Sequence, residues 1–386
     1  MLNRLENVKV NFEKLLFIIM VLVFCVTASN EVGNSLSLYK YIILAIGILE
    51  SFCKYMKNRK KTKEVFAYKE LKYLLYFVGL IIIFSFFKSL IAFKFSFRTV
   101  QEILFLVCPM IYAYLLINNM DKREIYSLMK IAFIIVFCAY LFSLKLNIEA
   151  IIKALFNANF AESTSDLESH IYSGFSLAFC TFFCYFDNKK KYKLLSVLFV
   201  IMTFKRLAII TAIFLYILSK LNIKKISIGK NIYVISGIFL IFFAVLYYNI
   251  MLPNNVIKIE NKYDINISKL TSTRSDRLKD LMKSNYVSYG FGSSTEYMYK
   301  YCYGALEMDI VKMIIELGYI PMIALICIYL YVGKTNLYTF SFICFLILSL
   351  IFSSNLTSSF AWIIFFITLF LVNKVNTIER GKNEVS

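Results

Sequence analysis

The sequence shows no apolar–polar alternation of period two, which excludes a membrane β-barrel. It carries no P-loop or dinucleotide motif, so no nucleotide chemistry is expected. It has no clustered carboxylates and no cysteine or histidine spacing that suits a metal, and no cofactor is expected. No disulfide framework follows from its nine cysteines. Seven of them (Cys25, Cys108, Cys138, Cys180, Cys184, Cys327 and Cys344) lie in apolar blocks, Cys53 is at a helix end and Cys302 is in a loop. Cys180 and Cys184 share a helix face and read as small packing residues. The first apolar block has no clear small-residue cleavage site, so it is expected to stay as a membrane helix. Prolines number three, and there is one tryptophan and one histidine. Acidic residues are few, 24 against 43 basic, for a net charge of +19. The cations mostly flank apolar blocks, so the excess does not point to nucleic acid.

What is abundant is long apolar sequence. The 386 residues are 60% hydrophobic, with a mean hydropathy of +0.69. Soluble domains are about 45–50% apolar. Blocks of about 17–22 residues match the length of a bilayer-crossing helix. They run over 12–28, 36–53, 73–92, 100–117, 129–146, 170–187, 194–219, 232–250, 310–332, 337–353 and 356–372. The expected fold is all-α: one polytopic integral membrane domain over 1–386, with 11–12 transmembrane helices. The Lys, Ile, Phe, Tyr and Asn bias is associated with AT-rich bacterial genomes. The connector Lys54–Lys72 holds eight basic residues in 19 and is expected to be cytoplasmic. Parity then makes the N-terminus, Asn118–Lys130 and DNKKKYK cytoplasmic too.

One block breaks the pattern. LLSVLFVIMTFKRLAIITAIFLYILS, from Leu194 to Ser219, has Lys205 and Arg206 at its centre. Two central cations cost about 2.5–3.5 kcal/mol each, and sixteen Leu, Ile, Val and Phe return about 0.3–0.6 kcal/mol each. The terms nearly cancel, so the flanks decide. Both flanks are basic, and a single crossing would put one of them outside. The block is therefore expected to go out and come back, turning at Phe204-Lys205-Arg206. The arms are shorter than a full span, which puts the two cations on the floor of a cavity open to the outside. Intramembrane charges mark a functional site by default. The hairpin brings the count to twelve, with both termini cytoplasmic.

Three features share the expected outer side. The first is 145–169, an extracytoplasmic loop in which Ile148, Ile151, Ile152, Leu155 and Phe156 line one face of an interfacial helix; a simple connector is the alternative. The second is His170, the only histidine, at the outer end of the sixth span, where it can serve as a general base. The third is the large late loop 251–309, with eight basic and seven acidic residues. There Arg274 and Arg277 sit on a short helix with Leu278, Leu281 and Met282 on its apolar face and an N-cap within Ser272–Ser275. Gly290 and Gly292 allow a tight turn or close backbone approach. Glu307 and Asp309 precede the tenth span, where Gly318 and Pro321 predict a bend or break. Four cations, Lys205, Arg206, Arg274 and Arg277, thus face the outside. Guanidinium forks suit phosphate oxygens, so a polyprenyl-diphosphate-linked substrate is the expected partner, along with the lipid bilayer.

At these residues the chain resembles the Wzy-type polysaccharide polymerases, relatives of the O-antigen ligases. MTFKRLAIITA is similar to the family's Ser/Lys-Arg turn. STRSDRLKDLM and YGFGSS are similar to its arginine helix and glycine turn, and EMDIVKMIIELGYIPM to its acidic stretch before a glycine-bearing helix. HIYSGF is partly similar to a His-Pro-Asn-type segment, without its Pro and Asn. The resemblance implies a glycosyltransferase of the bacterial cytoplasmic membrane that polymerises repeat units of O-antigen or capsule carried on undecaprenyl diphosphate. It implies that Arg206 with Lys205 holds the diphosphate and that Arg277 or Arg274 closes over it. Asp309, Glu307 or His170 would orient or deprotonate the acceptor hydroxyl, with no metal. A flippase and a chain-length regulator are the expected protein partners.

Two other readings compete. A lipid-linked oligosaccharide flippase would also carry cations in a cavity, but it more often shows repeats between halves, and none is found. A ligase of the same superfamily would use the same site on a different acceptor.

Overall fold

The computed structural model describes residues 12–29, 35–59, 65–144, 170–187, 190–221, 226–302, 304–354 and 356–383. The expected interfacial helix in 145–169 lies outside the described residues. The described residues are mostly helical and contain no strand. In chain order the helices are α1 (Phe12–Ser29), α2 (Ser35–Arg59), α3 (Tyr68–Ile91), α4 (Phe97–Asn119), α5 (Lys122–Ser143), α6 (His170–Phe186), α7 (Lys191–Met202), α8 (Arg206–Lys220) and α9 (Lys230–Met251). Then come α10 (Pro253–Tyr263), α11 (Ile267–Leu270), α12 (Arg274–Lys283), α13 (Ser293–Tyr301), α14 (Asp309–Leu317), α15 (Tyr319–Gly333), α16 (Leu337–Phe352) and α17 (Ser359–Asn383). By length and composition, five helical stretches among the described residues are long and apolar enough to cross a membrane: Tyr68–Ile91, Phe97–Asn119, Lys122–Ser143, Lys230–Met251 and Ser359–Asn376.

Local chemistry sets several helix starts. Ser96 Oγ accepts the Arg98 N–H at 3.0 Å and caps α4. Asp121 and Glu124 form a reciprocal capping box on α5, which satisfies two orphan N–H groups. Asn336 Oδ1 accepts the Thr339 N–H at 2.8 Å and caps α16. Apolar surface alone does not order such helices, since lipid is as apolar as leucine. Burial does: α17 is 83% buried over its apolar window, whereas α9 is 22% buried. The α17 helix therefore runs at the centre, packed against α4 and α6.

The Leu194–Ser219 block is two helices, α7 and α8, that pack on each other and on α6. The chain turns at Thr203–Lys205, and Phe204 takes a left-handed φ of 55°. Arms of 12 and 15 residues reach about 18 and 22 Å, less than a hydrocarbon core of about 30 Å. The 310–332 block is broken as well. Helix α14 stops at Leu317, and Gly318 adopts φ 96°, ψ −175° before α15 begins. That region is essentially reserved for glycine, and no atom lies within 4 Å of where a Cβ would stand. Gly318→Ala is therefore expected to cost about 1–3 kcal/mol through backbone strain alone. A thermal midpoint in detergent equal to that of the wild type would refute this.

Loop contacts gather at two ends of the bundle. At one end, Asn373 Nδ2 donates to Glu70 at 3.0 Å, and the Ile228 N–H donates to the Lys334 carbonyl at 3.2 Å. These contacts tie the starts of α3 and α9 to the end of α15 and to α17. The other end carries the starts of α6 and α8, the ends of α9 and α16, and the segment 253–308. The 22 residues of α9 separate the two by about 33 Å.

Candidate functional site

Lys205 is the N-cap residue of α8, and Arg206 is its first helical residue. Arg274 is the first residue of α12, after Thr273, whose side chain makes no capping bond. Helix N-termini carry partial positive charge and normally favour acidic residues. Here two N-termini carry cations instead. Lys205, Arg206 and Arg274 line one cavity of about 400 Å³. Its remaining wall includes Ser173 and Leu177 of α6, Ile210 of α8, Tyr247 of α9, Ser349 of α16 and Ser353, which follows α16. Among the described residues no carboxylate lies within salt-bridge distance of Arg206. Cationic side chains, orphan N–H groups and an apolar wall make this a place for an anion with an apolar attachment.

Arg277 stands beside the cavity rather than in its lining. Its Nη1 is 2.8 Å from Glu307 Oε1 and donates to the Ala305 carbonyl at 3.0 Å. Glu307 also faces Arg274 Nε at 3.8 Å, so one carboxylate joins the two arginines. The apolar face of α12 is partly as expected. Leu278 and Leu281 are buried, whereas Met282 is exposed. The Thr273 side chain does not cap α12; the Ser275 N–H donates to Thr271 Oγ1 at 3.4 Å instead, and Ser272 and Thr273 both take left-handed φ angles.

Asp309 is buried and lies behind the cavity wall. Its Oδ2 accepts the Leu356 N–H at 2.6 Å, and its Oδ1 accepts the Ser354 hydroxyl at 3.1 Å. The carboxylate thus holds the turn that follows cavity residue Ser353. His170 opens α6, one helical turn before Ser173 and Gly174, which line the cavity. Its side chain lies outside the described residues. Among the described residues no group of three His, Cys, Asp or Glu is placed to hold a metal.

The glycine turn behaves as its composition predicts. Gly290 and Gly292 have φ angles of 127° and 87°. A Cβ on Gly292 would stand 2.6 Å from Glu102 Cγ. Beside the turn, Tyr286 and Ser293 share a hydroxyl hydrogen bond at 2.6 Å. Burial pushes the Tyr286 phenol above its ordinary range, and the Glu316 carboxylate adds to this. Sequence reasoning missed Tyr247, Ser173, Ser349 and Ser353. The last two had a readable signal: polar residues four apart at the end of an apolar helix share a face. Tyr247 had none, since apolar helices end in tyrosine wherever they meet an interface. Comparison with protein families, curated proteins and solved structures gives no match to this chain.

Proposed function

We propose that this protein is a polysaccharide polymerase of the outer face of the bacterial cytoplasmic membrane. It joins repeat units carried on a polyprenyl diphosphate such as undecaprenyl diphosphate. The observation that carries this reading is the meeting of Lys205, Arg206 and Arg274 in one cavity at two helix N-termini. A diphosphate satisfies cations that are otherwise costly to hold together, and the apolar wall suits the first isoprene units. In this reading both termini are cytoplasmic, the chain has twelve spans counting the α7–α8 hairpin, and 251–309 is extracytoplasmic.

At the anomeric carbon one bond forms and one breaks, and the acceptor hydroxyl gives up its proton to a base. The acceptor's sugar hydroxyl oxygen attacks the anomeric carbon of the growing glycan. The bond from that carbon to the diphosphate oxygen breaks, and the lipid diphosphate leaves with the electron pair. Lys205, Arg206 and Arg274 stabilise its developing charge, a role in which fixed cations act without a metal. Arg277, braced by Glu307, orients Arg274 from the side. Asp309, Glu307 or His170 takes the proton from the acceptor hydroxyl; of these, Glu307 is paired with arginines and Asp309 accepts from Ser354 and the Leu356 N–H. A flippase supplies the substrate, and a chain-length regulator acts on the product.

A deletion strain tests this reading against the two others. Electrophoresis of its surface polysaccharide is expected to show single repeats in place of a ladder, with lipid-linked repeats accumulating outside. Repeats trapped inside would make the protein a flippase. Long chains left on the carrier would make it a ligase.

A further inference from the structure

A row of charged side chains lies beneath the glycine turn. Arg98 and Glu102 of α4 and Lys312 and Glu316 of α14 form a row of alternating sign. Arg98 Nη2 is 2.6 Å from Glu102 Oε1, and Lys312 Nζ is 3.5 Å from Glu102 Oε2. Lys312 and Glu316 are one helical turn apart, and both are buried. The row sums to zero, which is how such charges are tolerated in an apolar interior.

Its last member grips the loop. The carboxylate of Glu316 accepts the Gly292 N–H at 2.7 Å, the Ser294 N–H at 2.8 Å and the Ser294 hydroxyl at 2.6 Å. The Ser288 hydroxyl donates to the Glu316 carbonyl at 2.6 Å. One residue therefore holds both ends of the turn 288–294. The corner between α3 and α4 holds it from the other side. The Phe291 N–H donates to Ser85 Oγ at 3.1 Å, Ser89 Oγ donates to the Tyr289 carbonyl at 2.6 Å, and the Ser96 hydroxyl bonds to Glu296.

Helix α13 starts inside this grip, at Ser293. Five residues on, Met298 is buried in a small core with Leu278 and Leu281 of α12 and with Leu306, Met308 and Val311. These are the residues on which the arginine helix rests. From this chain of contacts we infer that Glu316 is a positioning residue: through the turn and α13 it fixes α12, and so sets where Arg274 and Arg277 stand at the cavity. Its own hydrogen bonds go to the turn. The functional half of the inference rests on the diphosphate reading above; the mechanical half does not.

The test compares wild type, Glu316→Gln and the milder Ser294→Ala as full-length proteins in nanodiscs. Gln keeps the shape but presents an amide N–H to the turn's N–H groups and leaves Lys312 without its neighbour's charge. Hydrogen exchange is expected to speed up at least tenfold for Glu316→Gln in 274–301, and about threefold for Ser294→Ala, with α3, α4 and α17 unchanged. Affinity for undecaprenyl diphosphate is expected to fall at least fivefold in Glu316→Gln. Unchanged exchange in 274–301 would overturn the inference. So would equal acceleration throughout the bundle, or a loosened loop with wild-type affinity. A wild-type protein that fails to bind the probe would sink the diphosphate reading, and the exchange data would still decide the mechanical half.

Discussion

An Arg206→Ala protein is expected to reach the membrane in normal amount and to make no polymer. Arg206 is exposed at the start of α8 and lines the cavity with Lys205 and Arg274. Among the described residues no carboxylate pairs with it, so its removal strands no buried partner. The helix it opens is held by packing against α6, α7 and α16, and alanine is the best helix former. Stability should therefore change little, whereas a fixed cation at a developing anionic charge is worth about 10²–10³ in rate. Electrophoresis of surface polysaccharide from the complemented deletion strain, with immunoblotting for the protein, reads both quantities. A normal ladder would remove Arg206 from the chemistry. Absent protein would mean that the residue holds the fold instead.

Gly292→Ala is expected to act first on the amount of folded protein. Two costs add. The left-handed φ of 87° penalises any side chain by about 1–3 kcal/mol. The new Cβ would also stand 2.6 Å from Glu102 Cγ and 3.4 Å from its Cβ. Glu102 has no easy retreat, because Arg98 and Lys312 hold its carboxylate. Overpacking of this kind costs about a further 1–3 kcal/mol. The sum is a large part of the stability of a typical domain, about 5–15 kcal/mol. The midpoint of thermal unfolding in detergent and the amount of protein in the membrane measure it. A Gly292→Ala protein as abundant and as stable as wild type would show that the turn does not approach α4 so closely.

Much of this architecture was legible because the signals were local. Nine of the eleven apolar blocks fall on single helices, and 194–219 and 310–332 on two each. The adjacent cations between two short arms marked the turn at Thr203–Lys205, and Gly318 marked the break between α14 and α15. Gly290 and Gly292 were readable as backbone that side chains would obstruct. What stayed hidden depended on pairing across the chain. Lys312 and Glu102 were each visible as a charge inside an apolar block, but they lie far apart in sequence and nothing local names the partner. The central place of α17 was hidden for another reason: a helix facing lipid and a helix facing protein are equally apolar. At the site, composition and resemblance put forward four cations. The geometry brings three into the cavity lining and sets Arg277 beside it, tied to Glu307.

The most direct test of the cavity's role is equilibrium binding of undecaprenyl diphosphate to the purified protein in nanodiscs. It compares wild type with Arg206→Ala and Arg274→Ala. A hydrogen bond to a charged group contributes about 1.5–3 kcal/mol, so each variant is expected to bind about 10- to 150-fold more weakly. Saturable wild-type binding with that loss in both variants is the predicted result. Equal affinity in all three proteins, or no binding by the wild type, would contradict the account.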